Sequence, residues 1–185
     1  KNKIKELLDH NLPGYTPSNG IIDLRLKISK YYKLKYKLNV NPDNIFITTG
    51  SSGAFLLSFL SCFDARKRVG IFNPVYPAYR NILRSVDLDV IEIEPNKDNI
   101  CKIDIKNIES YQFLDGLIIS NPNNPNGQVF SDNELEYIYK FCKSNNITLI
   151  SDEIYHGIEY DKQHSKSVLN FGSDSIIINS FSKYF

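Results

Sequence analysis

The sequence predicts an α/β protein of three layers (α/β/α), in which helices cover both faces of a mostly parallel sheet. From residue 41 onward, short apolar runs alternate with segments long enough to form helices. Strands that are apolar throughout are typical of sheets buried on both faces. Connections of helical length between such strands are the crossovers that parallel strands require.

The composition is that of an ordinary globular domain without a strong charge. Lys+Arg number 22 and Asp+Glu 21 among 185 residues, so no net field favours nucleic acid or an anionic membrane surface as a partner. No apolar run reaches the roughly 18 residues of a membrane helix, and no signal peptide is recognisable. We therefore expect a cytoplasmic protein. The absence of Met, even at position 1, favours a piece of a longer chain.

The three cysteines do not suggest a metal site. Cys62, Cys101 and Cys142 are widely spaced, with no CxxC pair and no cluster of histidines nearby. They are predicted to be buried thiols in a reducing compartment.

Residues 1–40 are predicted to form two helices that lead into the main domain. Apolar residues have helical spacing over residues 3–9, and one face of the second helix is formed by Leu24, Ile28, Tyr31 and Leu38. The lysines and tyrosines of residues 30–37 could alternatively form a nucleic-acid patch. The balanced charge and the helical period favour a solvated helix face instead.

Residues 41–185 are predicted to form the large domain around the sheet. Its strands are expected at residues 45–49, 69–72, 90–93, 117–120, 148–151 and 175–179, with helices at 54–63 and 133–144. Ligands of such sheets bind beyond the carboxyl ends of the strands. The residues that follow the strands are therefore the candidate site residues.

The residues after the first predicted strand could hold an anion. Gly50 allows a tight turn, Ser51 and Ser52 supply hydroxyl donors, and the first turn of the following helix has unpaired amides. No Gly-Lys-Ser/Thr sequence follows, so the turn is not a P-loop. A serine N-cap at an ordinary strand-to-helix turn explains the same residues equally well.

Two further loops carry an aromatic and an amide side chain. Residues 73–79 are predicted to form a rigid loop in which Tyr76 could stack on a planar ligand or pack on the rim of the sheet. In residues 120–127, prolines on both sides restrict the backbone of Asn124, which suits an amide that binds a ligand. A plain turn of Asn, Pro and Gly is the alternative.

The last two predicted strands end in charged residues. Asp152 follows a buried strand and should therefore have a positive partner. With Glu153 it could also form the end of a Walker B strand, although the matching lysine motif is missing. Lys183, expected at the end of the last strand, could attack an aldehyde once its amine is unprotonated, or it could be an exposed residue without a role. His156 is given no role.

Together these residues resemble the aspartate aminotransferase superfamily (class I/II) of fold-type I pyridoxal-phosphate enzymes, in the same order and over nearly the whole chain. The resemblance rests on the 49–54 turn, the 120–127 loop, Asp152-Glu153-Ile154-Tyr155 and Ser180-Phe181-Ser182-Lys183. It implies the large domain of that fold, incomplete here, and pyridoxal 5'-phosphate as the cofactor. One departure is Asn126, where relatives commonly carry Thr, and this puts a supporting contact in doubt.

The resemblance implies a role for each candidate residue. Lys183 would form a Schiff base with the cofactor's aldehyde, Asp152 would pair with the protonated pyridine nitrogen, and Asn124 and Tyr155 would bind the phenolic oxygen. Tyr76 would stack on the ring. The phosphate would be held by Ser51, Ser52, Ser180, the Gly50 region and, from the other subunit of a homodimer, Tyr15.

The implied reaction is ping-pong transfer of an amino group from an α-amino acid to a 2-oxo acid. Decarboxylation or β-elimination with the same cofactor, and a Walker-B-type NTPase, are the alternatives. The family also uses a further phosphate-binding residue, an arginine shortly after the lysine, and an arginine for the substrate carboxylate in a C-terminal small domain. Both positions would follow those matched here. We therefore expect the 185 residues alone to be inactive.

Overall fold

The computed structural model describes residues 14–95, 103–160 and 165–184. The chain separates into two compact units, and the division falls between Thr48 and Thr49. The helix predicted at residues 3–9 lies outside the described residues. No helix in the described ranges is long and apolar enough to cross a membrane.

The first unit contains one long helix, α1 (Ile22–Tyr36), and a short 3-10 helix, Pro42–Asn44. The predicted apolar face was partly wrong, because the buried residues of α1 are Arg25, Tyr32 and Tyr36. Burial of Arg25 is possible because its guanidinium donates to the carbonyls of Gly20 and Pro42 and pairs with Asp43 at 3.2 Å.

The predicted face also extended too far along the chain. Helix α1 ends where Lys37 adopts a left-handed conformation, with φ of 61°. Leu38 therefore follows the helix and does not belong to its face.

The first predicted strand, residues 45–49, was also wrong. The segment is not assigned as a strand, and none of the five described strands pairs with it. Its Ile47 amide donates instead to the carbonyl of Asn19 at 3.1 Å. An apolar, β-branched run predicts an extended backbone, but a strand needs a neighbour that supplies the ladder of hydrogen bonds.

The second unit is built on a parallel sheet. Its described strands are β1 (Arg68–Phe72), β2 (Asp89–Ile93), β3 (Gly116–Ser120), β4 (Thr148–Asp152) and β5 (Ile176–Ile178). They lie in the order β2-β1-β3-β4-β5, and every pair is parallel. The predicted fold class is confirmed, and five of the six predicted strands are found within one or two residues of their expected ends.

The helices of this unit are α2 (Gly50–Cys62), α3 (Pro77–Ser85), α4 (Asp132–Ser144) and the single turn α5 (Phe181–Tyr184). Two 3-10 helices, Ile105–Tyr111 and Val168–Asn170, complete the described elements. The segment 73–79, predicted as a loop throughout, is a loop only as far as Tyr76. A proline fits the first turn of a helix, where its missing N–H has no partner to lose, and so α3 begins at Pro77.

The two faces of the sheet have separate cores, as the alternation of side chains along a strand requires. Helices α2 and α3 cover one face, where Phe59 and Leu83 pack with Ile71, Ile118 and Ile150. Helix α4 covers the other face through side chains that include Leu135 and Ile138, which pack with Leu117, Ile119 and Leu149. The second unit thus has the predicted three layers.

The described cysteines are only partly as expected. Cys142 is buried in the core beneath α4, whereas Cys62 is exposed at the end of α2. The prediction of a buried thiol was therefore wrong for Cys62, which is the last residue of its helix. Cys101 lies outside the described residues.

The order of the strands reverses between β1 and β3. From β1 the chain moves outward to β2 on one side, and from β3 it moves outward through β4 to β5 on the other. Such a reversal leaves a crevice beyond the carboxyl ends of the two central strands, which is where open α/β sheets bind their ligands.

Candidate active site

A cavity of about 220 Å³ opens beyond the carboxyl ends of the central strands. Residues from five segments of the chain line it, and they include seven of the candidates taken from the sequence. The lining consists of Ser51, Ser52, Phe55, Tyr76, Ala78, Tyr79, Asn124, Asp152, Ile154, Tyr155, Ser182 and Lys183.

Asp152 is the last residue of β4 and is 4% exposed. Its Oδ2 accepts a hydrogen bond from the Tyr79 hydroxyl, and its Oδ1 accepts one from the Ile154 amide at 3.1 Å. Burial raises the pKa of this carboxyl to about 6, and the two hydrogen bonds act in the opposite direction. The expected positive partner is not found: no cationic side chain in the described part of the chain pairs with Asp152.

Tyr155 and Asn124 come together although they follow different strands. The chain turns after β4, where the Ile158 amide donates to the Tyr155 carbonyl, and this turn brings Tyr155 to the cavity. The Asn124 amide nitrogen then donates to the Tyr155 hydroxyl oxygen at 3.2 Å. The pair presents a phenol and a carboxamide beside the carboxylate of Asp152.

Asn123, which was not predicted as a site residue, connects the loop that carries Asn124 to the loop that carries Tyr76. Asn123 is 5% exposed, and its amide nitrogen donates to the Pro74 carbonyl at 3.1 Å and to Asn126 Oδ1 at 2.8 Å. The Asn126 oxygen also accepts from the Gln128 amide at 3.0 Å. The side chain that stands in place of the usual Thr therefore holds this loop in shape.

Residues at the start of α2 also line the cavity. Thr49 is the N-cap residue but makes no side-chain capping bond, so the predicted alternative of a serine N-cap is wrong. Gly50 has φ of +77°, a conformation that side chains other than glycine rarely adopt. Ser51 and Ser52 lie in the first turn, where backbone amides lack helical partners and can bind an anion.

Lys183 lies in the short helix α5 and not at the end of β5 as predicted. The side chain is exposed, yet it lines the cavity. Ser182 lines the cavity as well, whereas Ser180 is not among the lining residues. The Ser180 hydroxyl donates to the Ser182 hydroxyl oxygen at 2.9 Å.

A glycine lets the lysine-bearing turn pack closely on the turn after β4. Gly157 has φ of +100°, and a Cβ atom at this position would lie 2.8 Å from ring atoms of Tyr184. Because Tyr184 directly follows Lys183, the absence of a side chain at Gly157 helps to set where the lysine lies.

Two tyrosines on the α3 side complete the cavity. Tyr76 is 43% exposed, and its ring lies edge-to-face with the ring of Tyr79 at 5.7 Å between centroids. Tyr79 was not predicted as a site residue, because nothing in the spacing of residues 73–79 indicates that α3 directs its side chain toward β4. Tyr15 belongs to the first unit, and its side chain is fully exposed.

Glu153 does not line the cavity, and one of its two carboxylate oxygens is bound by groups outside it. Its Oε1 accepts hydrogen bonds from the Val168 amide and from the hydroxyls of Ser167 and Ser151. Burial raises the pKa of Glu153 to about 7. His156 Nδ1 lies 3.6 Å from Glu153 Oε2. A glutamate placed in this way cannot activate water beside Asp152, as a Walker B strand would require.

The residues of the cavity fit pyridoxal phosphate. A buried carboxylate that has no cationic partner among the described residues suits a protonated pyridine nitrogen, and the Asn124–Tyr155 pair suits a phenolate oxygen. The helix start with Ser51 and Ser52 suits a phosphate, and Lys183 supplies a primary amine.

Comparison with known proteins shows the family of the chain. The family model described as aminotransferase class I and II matches residues 1–185, and the chain belongs to this family. It is 39% identical over 184 residues to the valine–pyruvate aminotransferase of Mycobacterium tuberculosis, covering 95% of this chain and 46% of that protein. It is 35% identical over 189 residues to a probable aspartate aminotransferase of Methanocaldococcus jannaschii, covering 97% and 48%.

The fold agrees as well. The crystal structure of an aminotransferase from Mycobacterium tuberculosis superposes with a TM-score of 0.90 at 38% identity, covering 97% of this chain and 50% of that one. The chain therefore spans about half the length of the relatives it matches.

Proposed function

We propose that this cavity binds pyridoxal 5'-phosphate and that the full-length protein transfers an amino group between an α-amino acid and a 2-oxo acid. The observation that carries the proposal is the meeting of Asp152, the Asn124–Tyr155 pair and Lys183 around one cavity at the strand-order reversal. Membership of the class I and II aminotransferases supports it.

Each side chain has a distinct task in this proposal. When bound, the cofactor supplies an electron-accepting ring that stabilises negative charge at the substrate's Cα. Asp152 keeps a proton on the pyridine nitrogen, and Asn124 and Tyr155 hold the phenolic oxygen. Lys183 Nζ would hold the cofactor covalently and, as a free amine beside the substrate, would accept the proton that leaves Cα.

The remaining candidates hold the ends of the cofactor. Ser51, Ser52 and Ser180, with the amides that follow Gly50, bind the phosphate, and Tyr76 stacks on the ring. Tyr15 binds the phosphate from the other subunit of a homodimer. That assignment rests on the resemblance of its position to the family pattern.

We infer that the rest of the protein completes the site. A volume of about 220 Å³ is below the roughly 300–1,000 Å³ typical of ligand pockets. Within the described residues Lys183 is also the cavity's only cationic side chain, whereas a phosphate and a substrate carboxylate both call for further positive charge. The 185 residues, about half the length of the relatives, should therefore be inactive alone.

The name of the mycobacterial relative makes valine and pyruvate the first substrates to assay. The full-length protein with pyridoxal phosphate should form a new amino acid and a new oxo acid in equal amounts. Lys183→Ala should lower this rate by at least a thousandfold, whereas Lys166→Ala, whose side chain pairs with Asp132, should leave it unchanged. Release of CO₂ or ammonia without transfer would point to decarboxylation or β-elimination and contradict the proposal.

A further inference from the structure

Tyr79 is the most deeply buried of the aromatic side chains that line the cavity. It lies on α3 with 1% of its surface exposed. Its ring packs on Phe55 of α2, with 4.7 Å between centroids, and meets the ring of Tyr76 edge-to-face. These contacts leave the hydroxyl group little freedom of direction.

The hydroxyl is directed at one oxygen of the Asp152 carboxylate. The other oxygen accepts the Ile154 amide, so each oxygen receives one hydrogen bond from the protein and retains lone pairs toward the cavity that Asp152 lines. The other titratable groups around this carboxylate are Tyr155 and Lys183, which line the same cavity, and Glu153, the next residue.

We propose that Tyr79 is a positioning residue for the proposed cofactor site. By donating to Asp152 Oδ2, it fixes the orientation of the carboxylate and keeps it ionised, so that Asp152 can hold a proton on the pyridine nitrogen at neutral pH. The role toward the cofactor rests on the proposed function, whereas the effect on Asp152 can be measured without it.

The electrostatics agree with this role. Burial raises the pKa of Asp152 to about 6, and the hydrogen bond from Tyr79 is the larger of the two influences that lower it. Burial, together with the Asp152 charge, raises the pKa of Tyr79 well above its usual range. Tyr79 therefore remains a donor throughout the neutral range.

The first test uses the full-length protein without cofactor. Infrared titration follows the band of the protonated carboxyl of Asp152, identified as the band that Asp152→Asn removes. Tyr79→Phe keeps the ring packing and removes the hydroxyl. Loss of a hydrogen bond to a charged group should raise the midpoint of the titration by about 1–2 pH units. An unchanged midpoint would overturn the inference.

The matched control is Tyr137→Phe. Tyr137 also donates its hydroxyl to a carboxylate, that of Glu109, but it lies on α4, on the opposite face of the sheet. The Tyr137→Phe variant should leave the midpoint of the Asp152 titration unchanged. A shift as large as that of Tyr79→Phe would overturn the inference, because the effect would then not be specific to the hydrogen bond with Asp152.

The second test measures the dissociation constant of pyridoxal phosphate as a function of pH. At pH 7, Tyr79→Phe should bind several-fold more weakly than the wild type, because more of its Asp152 is protonated. The difference should shrink toward pH 9, where Asp152 is ionised in both proteins. A loss of affinity that is independent of pH would contradict the proposed role.

Failure of the proposed function is distinguishable from failure of this inference. If the wild-type protein bound no pyridoxal phosphate, the proposed function and the role of Tyr79 toward the cofactor would both be wrong. The infrared midpoint would still report whether Tyr79 keeps Asp152 ionised.

Discussion

At the scale of a residue, the buried carboxylate of Asp152 lowers the stability of the fold in order to form a binding site. The carboxylate is 4% exposed and receives two hydrogen bonds but no ion pair within the described residues. A buried charge without a partner is unfavourable, and the folded chain tolerates it because α3 and the turn after β4 supply donors. In the proposed holoenzyme the pyridine nitrogen supplies the missing positive charge.

The first prediction concerns the pH dependence of stability without cofactor. The pKa of Asp152 is raised from an ordinary 3.8 to about 6, so the folded state binds the proton more tightly than the unfolded state. Its contribution to stability is present below about pH 4 and is lost as the pH rises through 6. Asp152→Asn should therefore gain stability relative to the wild type between pH 4 and pH 8, by up to about 3 kcal/mol.

Urea unfolding at several pH values measures this difference. Asp174→Asn is the control of opposite sign, because hydrogen bonding to Lys143 lowers the pKa of Asp174. That variant should lose stability relative to the wild type as the pH rises. A difference between Asp152→Asn and the wild type that does not vary with pH would contradict the account of Asp152.

At this scale the sequence could predict the residues that follow strands but not those that approach from helices. Asp152, Asn124 and Tyr155 are identifiable because parallel strands end at one edge of the sheet. Tyr79 contacts Asp152 across 73 positions of sequence, and the contact depends on the direction in which α3 leaves its loop. Nothing in the local pattern of residues 73–79 determines that direction.

At the scale of elements, the structure joins the two loops on either side of the strand-order reversal. Asn123 connects the loop after β3 to Pro74 in the loop after β1, and Asn126 holds Asn123 in place. These loops carry Asn124 and Tyr76, which both line the cavity. The spacing of two proposed cofactor contacts therefore depends on one buried amide.

The second prediction removes that amide. Asn123→Ala should lower the free energy of unfolding by about 1–3 kcal/mol, because the partly buried Pro74 carbonyl loses its hydrogen-bond partner. It should also weaken pyridoxal phosphate binding, since the two loops are no longer connected. Chemical unfolding and a cofactor titration measure the two effects.

Asn145→Ala is the matched control. Asn145 also donates its amide to a backbone carbonyl, that of Phe141, but at the end of α4. This variant should leave cofactor affinity unchanged. If both variants weakened binding equally, the connection between the loops would not explain the effect.

Helices and strands were predicted correctly where the local sequence pattern is supported by contacts with neighbouring residues or strands. Helix α4 begins where expected because Ser131 and Glu134 form a capping box. The segment 45–49 has the apolar, β-branched composition of a strand but has no described neighbour to pair with. Pairing is a property of the sheet, and composition cannot supply it.

At the scale of the whole molecule, the order of the strands determines where the site lies. The sequence predicts a parallel sheet, but not which strands are central, because order depends on how each crossover packs. The reversal between β1 and β3 places the cavity between the 73–76 and 121–124 loops. About half the length of the relatives is matched, and the substrate-binding groups are expected in the other half.

The covalent attachment of the cofactor to Lys183 is the central claim, and one measurement tests it most directly. The full-length protein is incubated with pyridoxal phosphate, reduced with borohydride and digested, and the modified peptide is mapped. We expect the label on Lys183, in stoichiometric amount, and no label in Lys183→Ala. Stoichiometric labelling of a different lysine, with Lys183 unmodified, would contradict the assignment.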